Sequence, residues 1–175
     1  MPRIEFIPAD VRVHREELVE INVEYVSWVL AEMAKLFEVP ADRILGMSAS
    51  DYVPTVIDKL CGASPPVGVF YLVKVDDRLA GMGGLRSLGE ANAEIKRIYF
   101  RPQFRGQRLG EQVLQRLLTD AKSFGYRSAV LDSALFMRSA HRLYESNGFV
   151  DRPAYDGVEV PGEYRSRWRF MERAL

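Results

Sequence analysis

The segment Gln103-Phe104-Arg105-Gly106-Gln107-Arg108-Leu109-Gly110-Glu111 lies between an extended apolar run and a long amphipathic stretch. After it, Leu109, Val113, Leu117 and Ala121 recur at the spacing of one helical face. A loop that enters a helix presents unpaired backbone N–H groups at the positive end of the helix dipole. The segment therefore predicts a strand–loop–helix junction that binds an anion, and phosphate is a common ligand of such a junction.

The two best-known phosphate loops do not fit this segment. A nucleoside triphosphate loop needs Gly-Lys-Ser/Thr at the helix start, where this chain has Gly110-Glu111-Gln112. The dinucleotide fingerprint G-x-G-x-x-G follows a first strand, whereas Gly106 and Gly110 have another spacing and come late in the chain. A nucleotide-binding switch would therefore have to be demonstrated by Mg²⁺-dependent affinity for ATP or GTP.

The flanking sequence predicts an α/β fold. Upstream, three strand-like runs are separated by short turns, and downstream a strand and a helix follow the amphipathic stretch. This order predicts a mixed sheet with an antiparallel N-terminal meander, a central β-loop-α phosphate site and a parallel crossover to the following strand. The predicted elements are strand 3–7, helices 13–37 and 50–60, strands 67–75, 79–85 and 93–100, a helix from 109 to about 125, strand 128–131, helix 137–147, extended run 149–151 and strand 167–173.

Composition narrows the class of protein. A length of 175 residues predicts a single domain over 1–175. Lys plus Arg and Asp plus Glu both number 24, so a nucleic-acid partner is not expected, and no apolar run reaches the ~20 residues that span a membrane. Cys61 is the only cysteine and Met1–Glu5 lacks an apolar leader, so we expect a cytoplasmic protein. No residue set has metal-ligand spacing, so we expect no metal.

Two motifs together resemble the GCN5-related N-acetyltransferases (GNAT). The phosphate loop of that family reads Gln/Arg-x-x-Gly-x-Gly/Ala; Gln103 and Gly106 match its first and fourth positions, whereas Arg108 departs from its sixth. Residues 140–149, Ala-His-Arg-Leu-Tyr-Glu-Ser-Asn-Gly-Phe, are similar to the family's later motif Ala-x-x-Leu-Tyr-x-x-x-Gly-Phe. Met137 stands where many members have Asn. The specific resemblance covers residues 93–149.

This resemblance implies an N-acetyltransferase in which an amine attacks the thioester of acetyl-CoA directly. The loop would bind the pyrophosphate, and the strand before it would hold the pantetheine arm and polarise the thioester. The acceptor would be a small-molecule or peptide amine, and the family also includes homodimers. A non-catalytic acyl-CoA-binding sensor or interaction module is the competing interpretation. The cofactor-binding residues that the resemblance assigns are Ile98, Tyr99, Phe100, Arg105, Gly106, Gln107, Arg108, Leu109, Gly110 and Glu111.

The same resemblance nominates the residues for the chemistry. Tyr144 would be the general acid that protonates the leaving thiolate, although its apolar neighbours also suit a core tyrosine. Glu94 would be the base, directly or through water, and the alternative is an exposed strand glutamate that pairs with Lys96 or Arg97.

Other candidates are weaker or leave the chemistry open. Asp132 and Glu90 are rivals of Glu94 for the base. His141 is expected to face solvent on its helix, and the alternative is that it approaches the adenosine end of CoA. The acceptor site would lie among the first helix, residues 40–66 and the loop 155–165. Acidic and aromatic residues in that loop would suit a cationic amine or a solvated surface, and the acceptor itself cannot be read from the sequence.

Overall fold

The computed structural model describes residues 1–175 and contains one seven-stranded sheet with strand order β1-β2-β3-β4-β5-β7-β6. Strands β1 to β4 are antiparallel, β4 and β5 are parallel, and β7 is antiparallel to both β5 and β6. The predicted mixed α/β sheet is confirmed. Its elements are β1 (Ile4–Pro8), α1 (Arg15–Phe37), α2 (Ala41–Leu45), α3 (Ala49–Cys61), β2 (Val69–Val75), β3 (Arg78–Ser87), β4 (Asn92–Phe100), α4 (Leu109–Ser123), β5 (Ser128–Ala134), α5 (Arg138–Ser146), β6 (Val150–Arg152) and β7 (Trp168–Ala174).

Helices cover both faces of the sheet, so strand β2 is buried at every position except Lys74. Tyr71 and Val73 of β2 belong to the core cluster that includes the apolar side of α4. Phe70 and Leu72, between and beside them on β2, belong to the cluster built with α1 and α3. This alternation follows from the two-residue period of a strand. The short helix α2, which sequence periodicity did not predict, connects α1 to α3.

Strand β4 contains a bulge at Arg97. Met82 pairs with Tyr99 and Gly84 pairs with Lys96, so one residue of β3 faces two residues of β4. Arg97 takes up the extra length with a left-handed φ of 55°. A bulge bends the strand and raises its twist. Strand β4 pairs with β5 only over Asn92–Glu94, and beyond Glu94 the two strands separate.

This separation positions the candidate site. It leaves the second half of β4 without a neighbour on the β5 side, so backbone groups there are free to meet a ligand. The loop after β4 enters α4, and β5 continues into α5, so both helices begin near the end of the gap. The parallel crossover from β4 to β5 through α4 agrees with the predicted topology.

Candidate active site

A cavity of about 610 Å³ lies in the gap between β4 and β5. Helices α1 and α2 form one side, and the start of α5 and the loop between β6 and β7 complete it. Twenty of its 29 lining residues are hydrophobic, so the few charged groups inside are the candidates for recognition and chemistry. An aromatic cluster of Tyr25, Trp28, Tyr99 and Phe136 forms much of the wall, with neighbouring ring centroids 5.6–6.2 Å apart.

The loop before α4 has the geometry of an anion site. The backbone N–H groups from Gly106 through Glu111 donate to no acceptor in the protein, and the first bond of α4 is from Gln112 N to Arg108 O. Gly106 has a φ of +78°, which favours glycine, and a Cβ there would meet nothing within 4 Å. Arg108 is also left-handed, at φ 56°, and begins the helix without a side-chain cap. The unpaired donors at the positive helix end suit a phosphate group.

The predicted cofactor-binding residues fall into two groups. Ile98, Tyr99, Phe100 and Arg105 line the cavity itself. Residues 106–111 do not line the cavity and instead form the turn into α4. Gly110 lies against α5, since a Cβ at Gly110 would be 3.5 Å from Leu143 Cδ2. Cavity and loop therefore meet near α5, and a ligand with an anionic end and a slender arm would reach from one to the other.

Arg105 connects the loop to the cavity. Its Nε donates to the backbone oxygen of Phe100 at 2.9 Å, and its guanidinium lies 5.7 Å from the ring centroid of Tyr99. These contacts hold the side chain back across the end of β4. A fixed positive charge at this point favours an anionic ligand in the loop.

Tyr144 lies on α5 and lines the cavity. It is 7% exposed, and its ring packs 5.8 Å from that of Phe149, so it is part of the core as well. Its hydroxyl has no hydrogen-bond partner within the protein. Every fully buried side-chain polar atom does have a partner, so the Tyr144 hydroxyl is not fully buried and is open to the cavity. Burial raises the pKa of Tyr144, with smaller contributions from Tyr25 and Asp132. The hydroxyl therefore keeps its proton at neutral pH.

Asp132, the rival of Glu94 for the base, lies at the end of β5 and lines the cavity. Its Oδ1 accepts a hydrogen bond from Trp168 Nε1 at 3.2 Å. Burial, together with the charge of Glu94, raises the pKa of Asp132 to about 6. A carboxylate with this pKa is ionised at neutral pH and binds a proton more readily than an ordinary aspartate, which suits a general base.

Glu94 does not line the cavity. It is fully buried, accepts a hydrogen bond from Tyr155 Oη at 2.7 Å and forms an ion pair with Arg86. The expected exposure of Glu94 is wrong, because the loop after β6 covers this part of β4, whereas the expected pairing with Lys96 is present at 3.6 Å. The role of Glu94 as a base stays a prediction, and the geometry gives it no direct access to a substrate in the cavity.

The contacts of Glu94 indicate what it does in the fold. Arg86 also donates to Gly157 O at 2.9 Å and pairs with Glu159 at 3.1 Å. Lys96 pairs with Glu159 at 2.5 Å. Glu94 therefore lies at the centre of a charged network that holds the loop 155–161 over the sheet. The loop in turn contributes Glu159, Val160 and Pro161 to the cavity wall.

The prediction that His141 faces solvent is wrong. His141 is 7% exposed, and its Nε2 lies 3.1 Å from Ser133 Oγ. It precedes Tyr144 by three residues, so the two side chains share one face of α5, and that face packs on β5. Burial lowers the pKa of His141, with a further contribution from the charge of Arg169. Glu90, the other rival for the base, is exposed in the turn between β3 and β4.

Sequence reasoning missed two cavity residues, Tyr25 and Arg97. Burial raises the pKa of Tyr25, and the charges of Arg97 and Asp132 also act on its hydroxyl. The guanidinium of Arg97 lies 5.4 Å from the Tyr25 ring centroid, and its Nη1 donates to Asn22 Oδ1 at 3.0 Å. No sequence signal marks the bulge that directs Arg97 toward α1. The aromatic residues of α1 have the spacing of an ordinary apolar helix face, so the sequence pattern does not indicate a cavity there.

No group of three or more His, Cys, Asp and Glu side chains is placed to hold a metal ion. None of the helices combines the length and apolarity that crossing a membrane requires.

The part of the chain that matches known proteins contains both the loop before α4 and helix α5. The profile of the Acetyltransferase (GNAT) family matches residues 31–149. An uncharacterized N-acetyltransferase of Schizosaccharomyces pombe is 33% identical over 100 residues, which cover 55% of this chain and 61% of that protein. The N-acetylaspartate synthetase of Mus musculus is 31% identical over 99 residues, which cover 56% of this chain and 33% of that protein. The matched segments thus span less than two thirds of both relatives.

Solved structures share the fold over nearly the whole chain. A GNAT-family acetyltransferase from Staphylococcus aureus has a TM-score of 0.70 and 20% identity, with 99% of each chain covered. The PaiA N-acetyltransferase of Thermoplasma acidophilum, solved in complex with coenzyme A, has a TM-score of 0.68 and 18% identity, again with 99% of each chain covered. The loop, the tyrosine helix, the sheet order and the family match agree, and this chain belongs to the acetyltransferase (GNAT) family.

Proposed function

We propose that this protein is an acetyl-CoA-dependent N-acetyltransferase that transfers the acetyl group directly to an amine bound in the 610 Å³ cavity. The observation that carries the proposal is the run of unpaired N–H groups from Gly106 to Glu111 beside a cavity that contains Asp132 and Tyr144. Binding of the pyrophosphate by the loop would direct the rest of the cosubstrate along β4, toward both side chains.

In this proposal Asp132 accepts a proton from the ammonium form of the acceptor, directly or through a water. The neutral nitrogen then forms a bond to the acetyl carbonyl carbon. The C–S bond breaks and the sulfur leaves with the electron pair. Backbone N–H groups of β4 beyond Glu94, which β5 does not pair, are the candidates to stabilise the oxyanion.

The leaving sulfur would receive its proton from the Tyr144 hydroxyl, and the phenolate would regain one from the product nitrogen or from solvent. A thiol has an ordinary pKa of ~8.5, below that of a tyrosine. Burial raises the pKa of Tyr144 further, so transfer of its proton to the sulfur would be uphill and would be completed when the phenolate regains a proton from the product nitrogen.

Binding of the cosubstrate is tested by thermal unfolding with and without acetyl-CoA. A ligand at 100 times its Kd stabilises the folded state by about 2.7 kcal/mol, which corresponds to roughly 5–10 °C for a chain of this size. Gly106→Asp places a negative charge beside the pyrophosphate and should abolish the shift.

Gly89→Asp is the matched control for that variant. Gly89 has a φ of +84° and nothing within 4 Å of its Cβ position, so it imposes the same backbone strain away from the loop. If Gly106→Asp and Gly89→Asp keep equal shifts with acetyl-CoA, the loop is not the binding site. Stabilisation by ATP and Mg²⁺ in place of acetyl-CoA would instead support a nucleotide-binding protein.

Release of free thiol from acetyl-CoA in the presence of amines separates the enzyme from an acyl-CoA-binding sensor. The enzyme releases thiol in proportion to the acetylated amine formed. A sensor shows the thermal shift without thiol release. The chain itself favours the enzyme, because both Asp132 and the Tyr144 hydroxyl are available in the cavity.

A further inference from the structure

The charged side chains that line the cavity differ in whether they have an ion-pair or hydrogen-bond partner within the protein. Lys96 and Glu159 pair with each other, and Glu159 is also bound by Arg86. Asp132 is held by Trp168. The acidic charge of the loop after β6 is therefore neutralised within the protein where it meets the cavity. A site built for a polycationic acceptor would instead leave carboxylates free.

Arg97 is the exception on the α1 side of the cavity. It is half-buried, no carboxylate lies within salt-bridge distance of it, and its one side-chain hydrogen bond is from Nη1 to the amide oxygen of Asn22. Asn22 is fully buried, and it donates in turn to Leu18 O at 2.8 Å. A guanidinium has five N–H donors, so several have no acceptor within the protein, and Arg97 is one of the residues that line the cavity. A half-buried charge without a counter-ion is energetically unfavourable, and a ligand of opposite charge would compensate it.

The position of Arg97 is built into the backbone. The bulge puts this residue in the left-handed region, where non-glycine residues are rarely found and where strain concentrates at functional sites. Asn22 fixes one edge of the guanidinium and the Tyr25 ring lies beneath it at 5.4 Å. A guanidinium that is oriented in this way presents its remaining edge for two parallel hydrogen bonds, which is the geometry that a carboxylate accepts.

Other unpaired arginines at the cavity lie elsewhere. Arg105 is tied to the end of β4 beside the phosphate loop, and Arg138 is exposed at the start of α5. Arg97 alone of these contacts α1, at Asn22 and Tyr25, and Trp28, Val29 and Met33 further along the same helix form an apolar wall of the cavity. An acceptor bound there would meet one cation, one apolar surface and, at the thioester end, Asp132.

We infer that the acceptor is an amine that also carries a carboxylate and an apolar side chain, the chemistry of a hydrophobic amino acid, and that Arg97 binds the carboxylate. The inference rests on the proposed function. The carboxylate pairs with the guanidinium of Arg97, the side chain packs on α1 and α2, and the amine points toward Asp132 and the thioester. Arg97 is thus a specificity-determining residue, separate from the groups that move protons.

The test compares matched amines with the wild-type protein. L-Phenylalanine, L-phenylalaninamide and phenethylamine share the apolar body, and L-leucine, L-leucinamide and isoamylamine form a second set. We expect kcat/KM to fall by ~10- to 10³-fold when the carboxylate is replaced or removed, because a polar site rejects analogues that leave it unpaired. The amine of the amide is less basic than the amine of the amino acid, so more of it is unprotonated. Amine reactivity alone would therefore favour the amide over the amino acid, which is the opposite of the expected order.

Variants assign the preference to Arg97. Arg97→Asn keeps a residue type that tolerates the left-handed backbone, and it should reduce the preference for the carboxylate to about 3-fold or less. Arg97→Lys keeps the charge but not the paired donors, and it should retain part of the preference. Arg127→Asn, at an exposed arginine beside β5 and remote from the cavity, should retain all of it. Melting temperatures identify any variant that does not fold, and the wild-type comparison needs no variant.

A binding measurement covers the case in which none of these amines is acetylated. With saturating CoA, N-acetyl-L-phenylalanine should raise the melting temperature of the wild type and N-acetylphenethylamine should not. Equal use of an amino acid and its amide, or equal shifts with both products, overturns the inference and leaves the proposed function standing. Absence of both an acetyl-CoA shift and transfer to any amine overturns the proposed function and the inference together.

Discussion

Replacing Asp132 with asparagine should have opposite effects on activity and stability. The substitution keeps the size of the side chain and the oxygen that accepts the hydrogen bond of Trp168, which is 3.2 Å away in the wild type. It removes the ability to hold a negative charge or to take a proton. If Asp132 is the general base, turnover at neutral pH should fall by ~10²–10⁴-fold.

The stability effect follows from the pKa of Asp132. Burial raises it from the ordinary value of 3.8 to about 6, so the folded state resists ionisation that the unfolded chain undergoes freely. Below pH 3.8 the group is neutral in both states and costs nothing. Between pH 3.8 and about 6 the unfolded state loses its proton first, and stability falls as the pH rises.

The size of this penalty can be worked from the same values. The difference between a pKa of 3.8 in the unfolded chain and a pKa of about 6 in the folded state lowers the free energy of unfolding by about 3 kcal/mol above pH 6. Asparagine also costs some free energy to bury, so we expect Asp132→Asn to be about 1–3 kcal/mol more stable than the wild type at pH 8. That gain corresponds to a few degrees in melting temperature for a chain of this length.

The assay is turnover and urea unfolding of wild type and Asp132→Asn from pH 3.5 to pH 8. The wild type should lose activity as the pH falls through about 6, and the stability advantage of the variant should shrink by about 3 kcal/mol between pH 8 and pH 3.8. Asp156→Asn is the control, because Asp156 is an exposed aspartate of the loop after β6. A variant with full turnover, or one that is less stable than the wild type at pH 8, would refute this reasoning.

The remaining predictions concern the other side chains of the site. Tyr144→Phe keeps the ring that packs on Phe149 and should lower turnover at least ~10-fold with little change in melting temperature; full turnover would leave water as the proton source. Glu94→Gln should cost about 1.5–3 kcal/mol of stability, because it removes a buried charge from its arginine partner. If Glu94 is nevertheless the base, this variant should lose turnover chiefly at acidic pH, where the amine is most protonated. Gly110→Trp should weaken the acetyl-CoA shift, because its ring must enter the space beside Leu143, and measured melting temperatures in the absence of ligand serve as its reference.

Local patterns were enough to predict the strand order of the meander, the loop that enters α4 and the helix that carries Tyr144. The unpaired N–H groups of Gly106 to Glu111 depend on where a loop enters a helix, and the apolar spacing of α4 marks that point within a few residues. Tyr144 follows equally from a short motif on one helix. Interactions between residues close in the chain leave their pattern in the sequence itself.

The tertiary structure alone decided which acidic group faces the cavity. Glu94 is covered by Tyr155, 61 positions later, and Asp132 is held by Trp168, 36 positions later. Neither pairing has a local signature, and the pKa of Asp132 depends on the burial that these distant segments create. His141 is buried for the same kind of reason, since α5 packs its inner face on β5 and brings Ser133 to the histidine ring.

For Arg97, the sequence predicts the strand that carries it, and only the tertiary structure shows where its side chain lies. The alternation of charged and apolar residues in β4 predicts a strand and assigns Arg97 to one of its faces. The bulge inserts an extra residue against β3, so Ile98 and Phe100 lie on the same face as Ile95, and the guanidinium meets Asn22 and Tyr25 on α1. The sequence by itself thus determined the strand, the loop and the helix that follows it. Only the pairing of β4 with its neighbours decided where its charged side chains point, because strand register is a contact between chain segments and not a property of either one.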